Sequence, residues 1–266
     1  MITFKQVHLY LEPSSSTLKI DEVAGYVKDM LACKVDVRPE FFTYFSSQDR
    51  LDYIANTIAR TKVFDPHKPF VIHEPAPIEI AFEKKVLSNP GKRYLGILYD
   101  GFELQTVFNE LIPSEENNLE HIHITFTNRL VCTYSEDDSR YHYRSIICGY
   151  PTIICTSGIV EAPAKPKEFY FLQQHYASMG NTNLDEVKKK FEGRFIDYDD
   201  ARLTEVVKGY VMQGLFYYIT GNPFCANKEC RLLNAHWQED LIESQINKGN
   251  FCQDHLKILS EFKTII

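Results

Sequence analysis

The chain has 266 residues, 44% hydrophobic and 24% charged, an ordinary globular balance and enough length to bury a core without covalent staples. Twenty-nine basic residues against thirty-six acidic ones leave a formal net charge of −7, which argues against a sequence-independent grip on nucleic acid. No apolar run reaches the roughly 18 residues of a membrane span, and residues 1–12 alternate polar and apolar instead of forming a signal peptide. The expectation is a cytoplasmic protein with reduced thiols and neither a membrane nor a nucleic-acid partner.

The N-terminal part reads strand, helix, strand, helix. Val7, Leu9 and Leu11 alternate as a strand does. Ile20, Val23, Ala24, Val27, Met30 and Leu31 form a helical stripe over 20–33, Lys34–Arg38 alternates again, and Leu51, Ile54, Ala55, Ile58 and Ala59 form a second stripe over 48–61. This rhythm implies an α/β sheet with helices packed on it. Five prolines mark residues 64–92 as an irregular excursion with a strand at Phe70–His73. A strand at Tyr94–Tyr99, a helix at Phe102–Leu111 and a loop at 112–120 follow. Strands are then expected at 121–127, near 130–134, at 142–149 and at Ile153–Cys155. The rest is helical: Phe169–Met179, Leu184–Phe191, Asp199–Thr220, about 235–247 and about 253–264. Gly221 and Pro223 stop the long run Asp199–Thr220. The organisation expected is a sheet-containing part over 1–198, with 64–120 insertion-like, and a helical part over 199–266, together one compact unit.

Seven cysteines are an odd number, so a pure disulfide framework is not expected. Cys33, Cys132, Cys148 and Cys155 sit in apolar runs and read as small core residues. The other three fall into a pattern after the long helix: Cys225-x4-Cys230, then twenty-one residues, then Cys252-x2-His255. Two close pairs of thiolate and imidazole ligands can close a tetrahedron around one structural Zn²⁺. The bland alternative is three free thiols and a surface histidine, and His236 is an alternative fourth ligand.

On these residues the chain resembles the archaemetzincins, zinc peptidases whose signature runs H-E-x-x-H-x-x-G-x-x-H-C-x4-C-x-M before a second cysteine pair. Cys225, Cys230 and Gly221 match the signature, and Cys252 with His255 resembles the second pair with histidine replacing a cysteine. Upstream, Arg50-Leu-Asp-Tyr53-Ile-Ala55, Ile124–Leu130 and Pro151–Val160 resemble family segments in the right order, the last as the edge strand before the active-site helix. The resemblance covers most of the chain outside 64–120 and implies a divergent archaeal branch. It implies a metzincin-like α/β (α+β) fold: a mixed twisted sheet with packed helices and a C-terminal helical part holding a zinc knuckle.

The same alignment removes the catalytic site. Gly214, Leu215, Tyr218 and Phe224 stand where the three histidines and the glutamate belong, and Leu232 stands at the Met-turn position. Gly, Leu and Phe cannot hold a catalytic zinc, and Tyr is a poor replacement for imidazole. The function expected is therefore a zinc-binding pseudo-peptidase or binding module with one structural ion and a peptide-like ligand in the old cleft. The alternative is a metal-dependent hydrolase with a relocated site. Its candidates are His121 and His123, which face the same way on a strand, and His142 on a neighbouring strand. Glu161, near Lys165, Lys167, Arg140 and Arg144, is a candidate for an anion or substrate-terminus pocket, against the bland reading of a solvated charged loop. Nothing in the sequence sets the oligomeric state.

Overall fold

The computed structural model describes residues 3–180 and 183–265. In chain order the strands are β1 (Gln6–Tyr10), β2 (Lys34–Arg38), β3 (Lys62–Val63), β4 (Leu98–Asp100), β5 (His121–Thr127), β6 (Leu130–Ser135), β7 (Arg140–Tyr143), β8 (Ile146–Ile147) and β9 (Thr152–Cys155). The helices are α1 (Ile20–Leu31), α2 (Phe41–Phe45), α3 (Leu51–Ala59), α4 (Pro77–Leu87), α5 (Gly101–Leu111), α6 (Thr156–Glu161), α7 (Lys167–Ser178), α8 (Leu184–Lys190), α9 (Leu203–Thr220), α10 (Gln238–Ile242) and α11 (Gln253–Ile265). A π-helical turn, Glu243–Lys248, continues α10. No helix among the described residues is long and apolar enough to cross a membrane.

Two mixed sheets form in place of one. The first has the order β2-β1-β5-β9-β8, parallel except for β8, which runs antiparallel at the edge. The second has the order β3-β4-β6-β7. The α/β class expected from the alternating stripes is therefore found, with the sheet divided.

The first sheet separates two cores, as the two-residue period of a strand requires. Val7, Leu9, Ile122, Ile124 and Ile154 face one core with α1, α9 and α11. Tyr10, Ile153 and Cys155 face the other, with Phe41 and Phe42 of α2, Ile54 and Ile58 of α3 and Leu104 and Phe108 of α5. The apolar stripe over 20–31 is the buried face of α1. Helix α9 is buried almost all round, with fourteen of its eighteen residues inside. Such a helix is a spine between layers and not a surface element.

Three local expectations change. No strand forms at Phe70–His73, and the Pro-rich stretch instead leads into α4. Pro77 starts that helix where its missing N–H costs nothing, and Glu79 accepts from the Ala76 N–H at 2.8 Å. Residues 64–120 are thus not an irregular insertion, because α4, β4 and α5 lie there and β4 pairs with β6 in the second sheet. Finally, the segment expected to supply the edge strand, Pro151–Val160, supplies β9, which is interior, and then α6. The edge belongs to β8.

The turn between β7 and β8 is clamped onto α6. The Cys155 N–H donates to the Ser145 carbonyl at 2.8 Å, and the Ser145 hydroxyl donates to the Gly158 carbonyl at 3.2 Å. A Cβ on Gly158 would fall 2.0 Å from the Arg144 carbonyl oxygen. Backbone on both sides leaves nothing to rotate away. Gly158→Ala is therefore expected to lower stability by about 2 kcal/mol or more, read as a lower urea midpoint at unchanged slope.

Candidate metal centre and cleft

Helix α9 ends at Gly221, whose φ of +78° lets the chain turn back. The turn that follows carries Cys225 and Cys230. The Cys225 N–H donates to the Leu232 carbonyl at 2.9 Å, and the Arg231 N–H to the Asn250 carbonyl at 2.8 Å, which draws the 225–233 loop beside the start of α11. Cys252 and His255 then sit one helical turn apart at that start.

The four predicted ligands converge. One donor atom from each of Cys225, Cys230, Cys252 and His255 lies within 4.8 Å of the others. Cys225 Sγ is 3.9 Å from Cys252 Sγ, and Cys230 Sγ is 3.7 Å from His255 Nδ1. With bonds of about 2.3 Å to sulfur and about 2.0 Å to nitrogen, a tetrahedral zinc separates two sulfurs by about 3.8 Å and a sulfur from a nitrogen by about 3.5 Å, so both spacings fit the ion. Cys252 Sγ and His255 Nδ1 approach to 2.9 Å, closer than two ligands of one zinc stand. Burial pushes the Cys230 thiol up to about 12 and lowers the His255 imidazole. A neutral imidazole is ready to bind, whereas the thiol needs a cation to lose its proton. His236 is not in this group, so the alternative fourth ligand is not used. Beneath the knuckle the buried Arg231 pairs with Glu205, and its guanidinium lies 5.0 Å from the Tyr26 ring. Gln245 donates to the Arg231 carbonyl at 2.7 Å.

The positions that the resemblance assigns to catalytic ligands are filled differently. A Cβ on Gly214 would sit 2.9 Å from Thr152 Cγ2, so β9 packs where a side chain would stand. Leu215 is fully buried, Tyr218 donates its hydroxyl to the Gly149 carbonyl, and Leu232 is in the core. Phe224 remains at the surface of a cavity of about 300 Å³. Its walls are the β7–β8 segment, Tyr210 and Tyr217 of α9, Ala162 and Pro163, and the strip Asn234–His236. That strip is held by the Ala164 N–H, which donates to the His236 carbonyl at 2.8 Å, and by the Gln238 N–H, which donates to the Ala164 carbonyl at 2.8 Å.

The histidine candidates divide between the two sheets. His142 lies on β7 in the second sheet, where its Nε2 is 2.9 Å from Asp138, so it is not on a strand neighbouring His121 and His123. The residue that joins that pair is His8, which the sequence reading did not single out. In the parallel register, Asp36 on β2, His8 on β1 and His123 on β5 form one row across three strands. Its sequence signal is the polar half of the alternation whose apolar half marked these strands.

His8, His123 and Glu116 also offer donor atoms within 4.8 Å of one another, but hydrogen bonds occupy them. His8 Nδ1 is 3.1 Å from the Asp36 carboxylate, and His8 Nε2 is 3.0 Å from His121 Nδ1. The His8 and His121 planes are 6° apart with centroids 5.3 Å apart, so the rings meet edge to edge along that N···N line and leave no space for an ion between them. Tyr10 accepts from Arg38 at 3.0 Å and donates to His123 Nδ1 at 2.8 Å, and His123 Nε2 donates to the Glu116 carbonyl at 3.2 Å. Arg38 grips the Glu116 carboxylate through both Nη groups, and hydrogen bonds from Arg38 hold that carboxyl down at about 2. Burial pushes His123 down to about 3, with His8 as the next cause, and burial and Arg38 lower His8. The two histidines are neutral members of a hydrogen-bonded network that ends on the Asp36 and Glu116 carboxylates and the Arg38 guanidinium. Glu161 accepts from the Tyr198 hydroxyl at 3.1 Å and lies 3.9 Å from Lys165 Nζ, away from Arg140 and Arg144.

Residues 3–262 match the family described as Probable metallopeptidase family (DUF6775). The chain belongs to that family. A metallopeptidase family is what the resemblance in the cysteine-bearing segment implied. No curated protein matches the sequence. Among solved structures, the chain is similar to the archaemetzincin of Methanopyrus kandleri, at 10% identity and TM-score 0.48, over 98% of this chain and 96% of that one. It is also similar to a zinc-dependent peptidase of Methanocorpusculum labreanum, at 11% identity and TM-score 0.41, over 95% of this chain and 99% of that one.

The depressed histidines set a pH dependence. In the unfolded chain both titrate near 6.5, while in the fold burial lowers both, His123 to about 3. Above pH 6.5 their contribution is complete. As pH falls from 6.5 the unfolded chain takes up protons that the folded chain refuses, so stability drops by about 1.4 kcal/mol per pH unit for each withheld proton. Glu116 adds to the loss only below about pH 4.5. Urea midpoints of the wild type are expected to fall between pH 6.5 and 4.5, more steeply than those of a His123→Asn variant. Parallel profiles would show that His123 does not withhold a proton.

Proposed function

We propose that the protein is a zinc-stabilised metallopeptidase homologue that has kept a structural ion and given up the catalytic one, so that its cleft binds a peptide-like ligand without cleaving it. The observation that carries this reading is a contrast within one segment. The four donors of the Cys225, Cys230, Cys252 and His255 group meet at distances suited to one zinc, while Gly214, Leu215 and Tyr218 one helix earlier are packed against β9 and the core. Zinc bound by four protein ligands leaves no open position for substrate or water and contributes folding free energy. Three thiolates on one ion require a reducing compartment, and the reading places the protein in the cytoplasm. The cleft is the cavity beside β8, lined by Phe224 at the former third-histidine position.

Metal analysis of the purified chain is expected to give one zinc per molecule. Cys252→Ser removes it, and chelation lowers the melting temperature, because free zinc at a thousandfold excess over Kd adds about 4 kcal/mol of stability. Incubation with a mixed peptide pool is expected to give no cleavage products. A second tightly bound ion, or chelator-sensitive hydrolysis that survives Cys252→Ser, would overturn the proposal.

A further inference from the structure

The cavity beside β8 has a charge pattern opposite to that of the whole chain. The protein carries a net charge of −7, yet the described residues lining the cavity include no aspartate or glutamate, while Arg144 and His236 both reach it. Arg144 sits between β7 and β8, where the backbone is fixed. Its N–H donates to the Val131 carbonyl at 2.9 Å, and its own carbonyl lies against Gly158. The side chain is fixed as well, since Nε donates to Thr133 Oγ1 at 2.7 Å. The two Nη groups find no carboxylate among the described residues. Burial lowers the Arg144 guanidinium from its ordinary value, and no acidic side chain offsets this.

A guanidinium drawn partly out of water without an anion is unfavourable, and the imbalance is relieved by a ligand that brings the charge. A planar fork with one nitrogen already anchored matches the two oxygens of a carboxylate. Around it, Tyr143, Tyr210, Tyr217 and Phe224 line the cavity with aromatic rings, and β8 is the edge strand of its sheet. The volume of about 300 Å³ is at the small end for ligand pockets and suits the end of a chain better than its middle. We propose that Arg144 anchors a ligand carboxylate in this cavity, and that the ligand is a peptide held by its C-terminal carboxylate. This rests on the reading of the cavity as a peptide cleft.

The test uses the full, zinc-loaded chain and three pools of acetylated tripeptides, followed by isothermal titration. One pool ends in free carboxylates, one is its amidated counterpart, and one is amidated with an internal aspartate. The free-acid pool is expected to bind at least about tenfold more tightly than the amidated pool. Arg144→Gln is expected to bring the free acid down to the amide level and leave the amide unchanged. Arg144→Lys, which keeps the charge and loses the fork, falls between them, and its melting temperature checks the fold. Equal binding of acid and amide overturns the carboxylate anchor and leaves the cleft reading standing. The internal aspartate binding best overturns the assignment to a chain end. No binding from any pool overturns both the anchor and the cleft.

Discussion

The larger core of this molecule is arranged around the burial of α9. A helix with one solvent face can tolerate change along that face, but α9 has almost none. On one side it meets β5 and β9, with Gly214 pressed against Thr152 so closely that no side chain fits. On another it meets α1, and near its middle Gly209 gives room to Gln245, which supports the Arg231 backbone under the knuckle. Its last turn hands the chain to the metal ligands. The Cys225, Cys230, Cys252 and His255 group and the cavity therefore lie at two ends of one packing problem, since the helix is held from outside and the face toward β9 must be core.

On the function proposed above, that constraint is how a metallopeptidase scaffold would lose its chemistry and keep its shape. Metal ligands on a buried helix need polar partners and space for an ion, while apolar replacements need only close packing. Leu215 and Tyr218 are both buried at that face, so hydrophobic burial holds this part of the helix. The knuckle cannot be replaced in this way. It lies where short loops cross above core residues Leu232 and Phe251, and its four donors join 225–233 to the start of α11.

The parts that were legible in the sequence were those whose signal is local. The members of each ligand pair lie within a few residues of one another, so the repeated close spacing pointed to Cys225, Cys230, Cys252 and His255 as one group. The stripes of α1, α3 and α9 and the alternation of β1 and β2 were likewise readable. What was not legible depends on strand order. His8 becomes the neighbour of His123 only because β1 lies between β2 and β5, and no local pattern encodes that. His142 looked adjacent for the converse reason, since strands close in sequence went to separate sheets. Helix α4 was hidden by prolines that break helices in their interiors and start them at their first turn. Arg144 stood among charged residues, and only the fold shows that the acids near it in sequence turn elsewhere.

The parallel pairing of β1 with β5 also bears on the order in which the molecule can be made. The two strands are 113 residues apart between His8 and His121, and β1 is an interior strand of its sheet. On the ribosome, β1, α1 and β2 emerge early as a two-stranded fragment whose inner edge has no partner until the second sheet's first strands and α5 have been synthesised. A long loop must close before that edge is covered, and such closures are slow. The waiting edge carries His8 and Tyr10 on the face that will later be buried, groups that water can still solvate. The same polar row that makes the finished sheet sensitive to acid thus keeps the unfinished one from offering a wholly apolar strand to its neighbours.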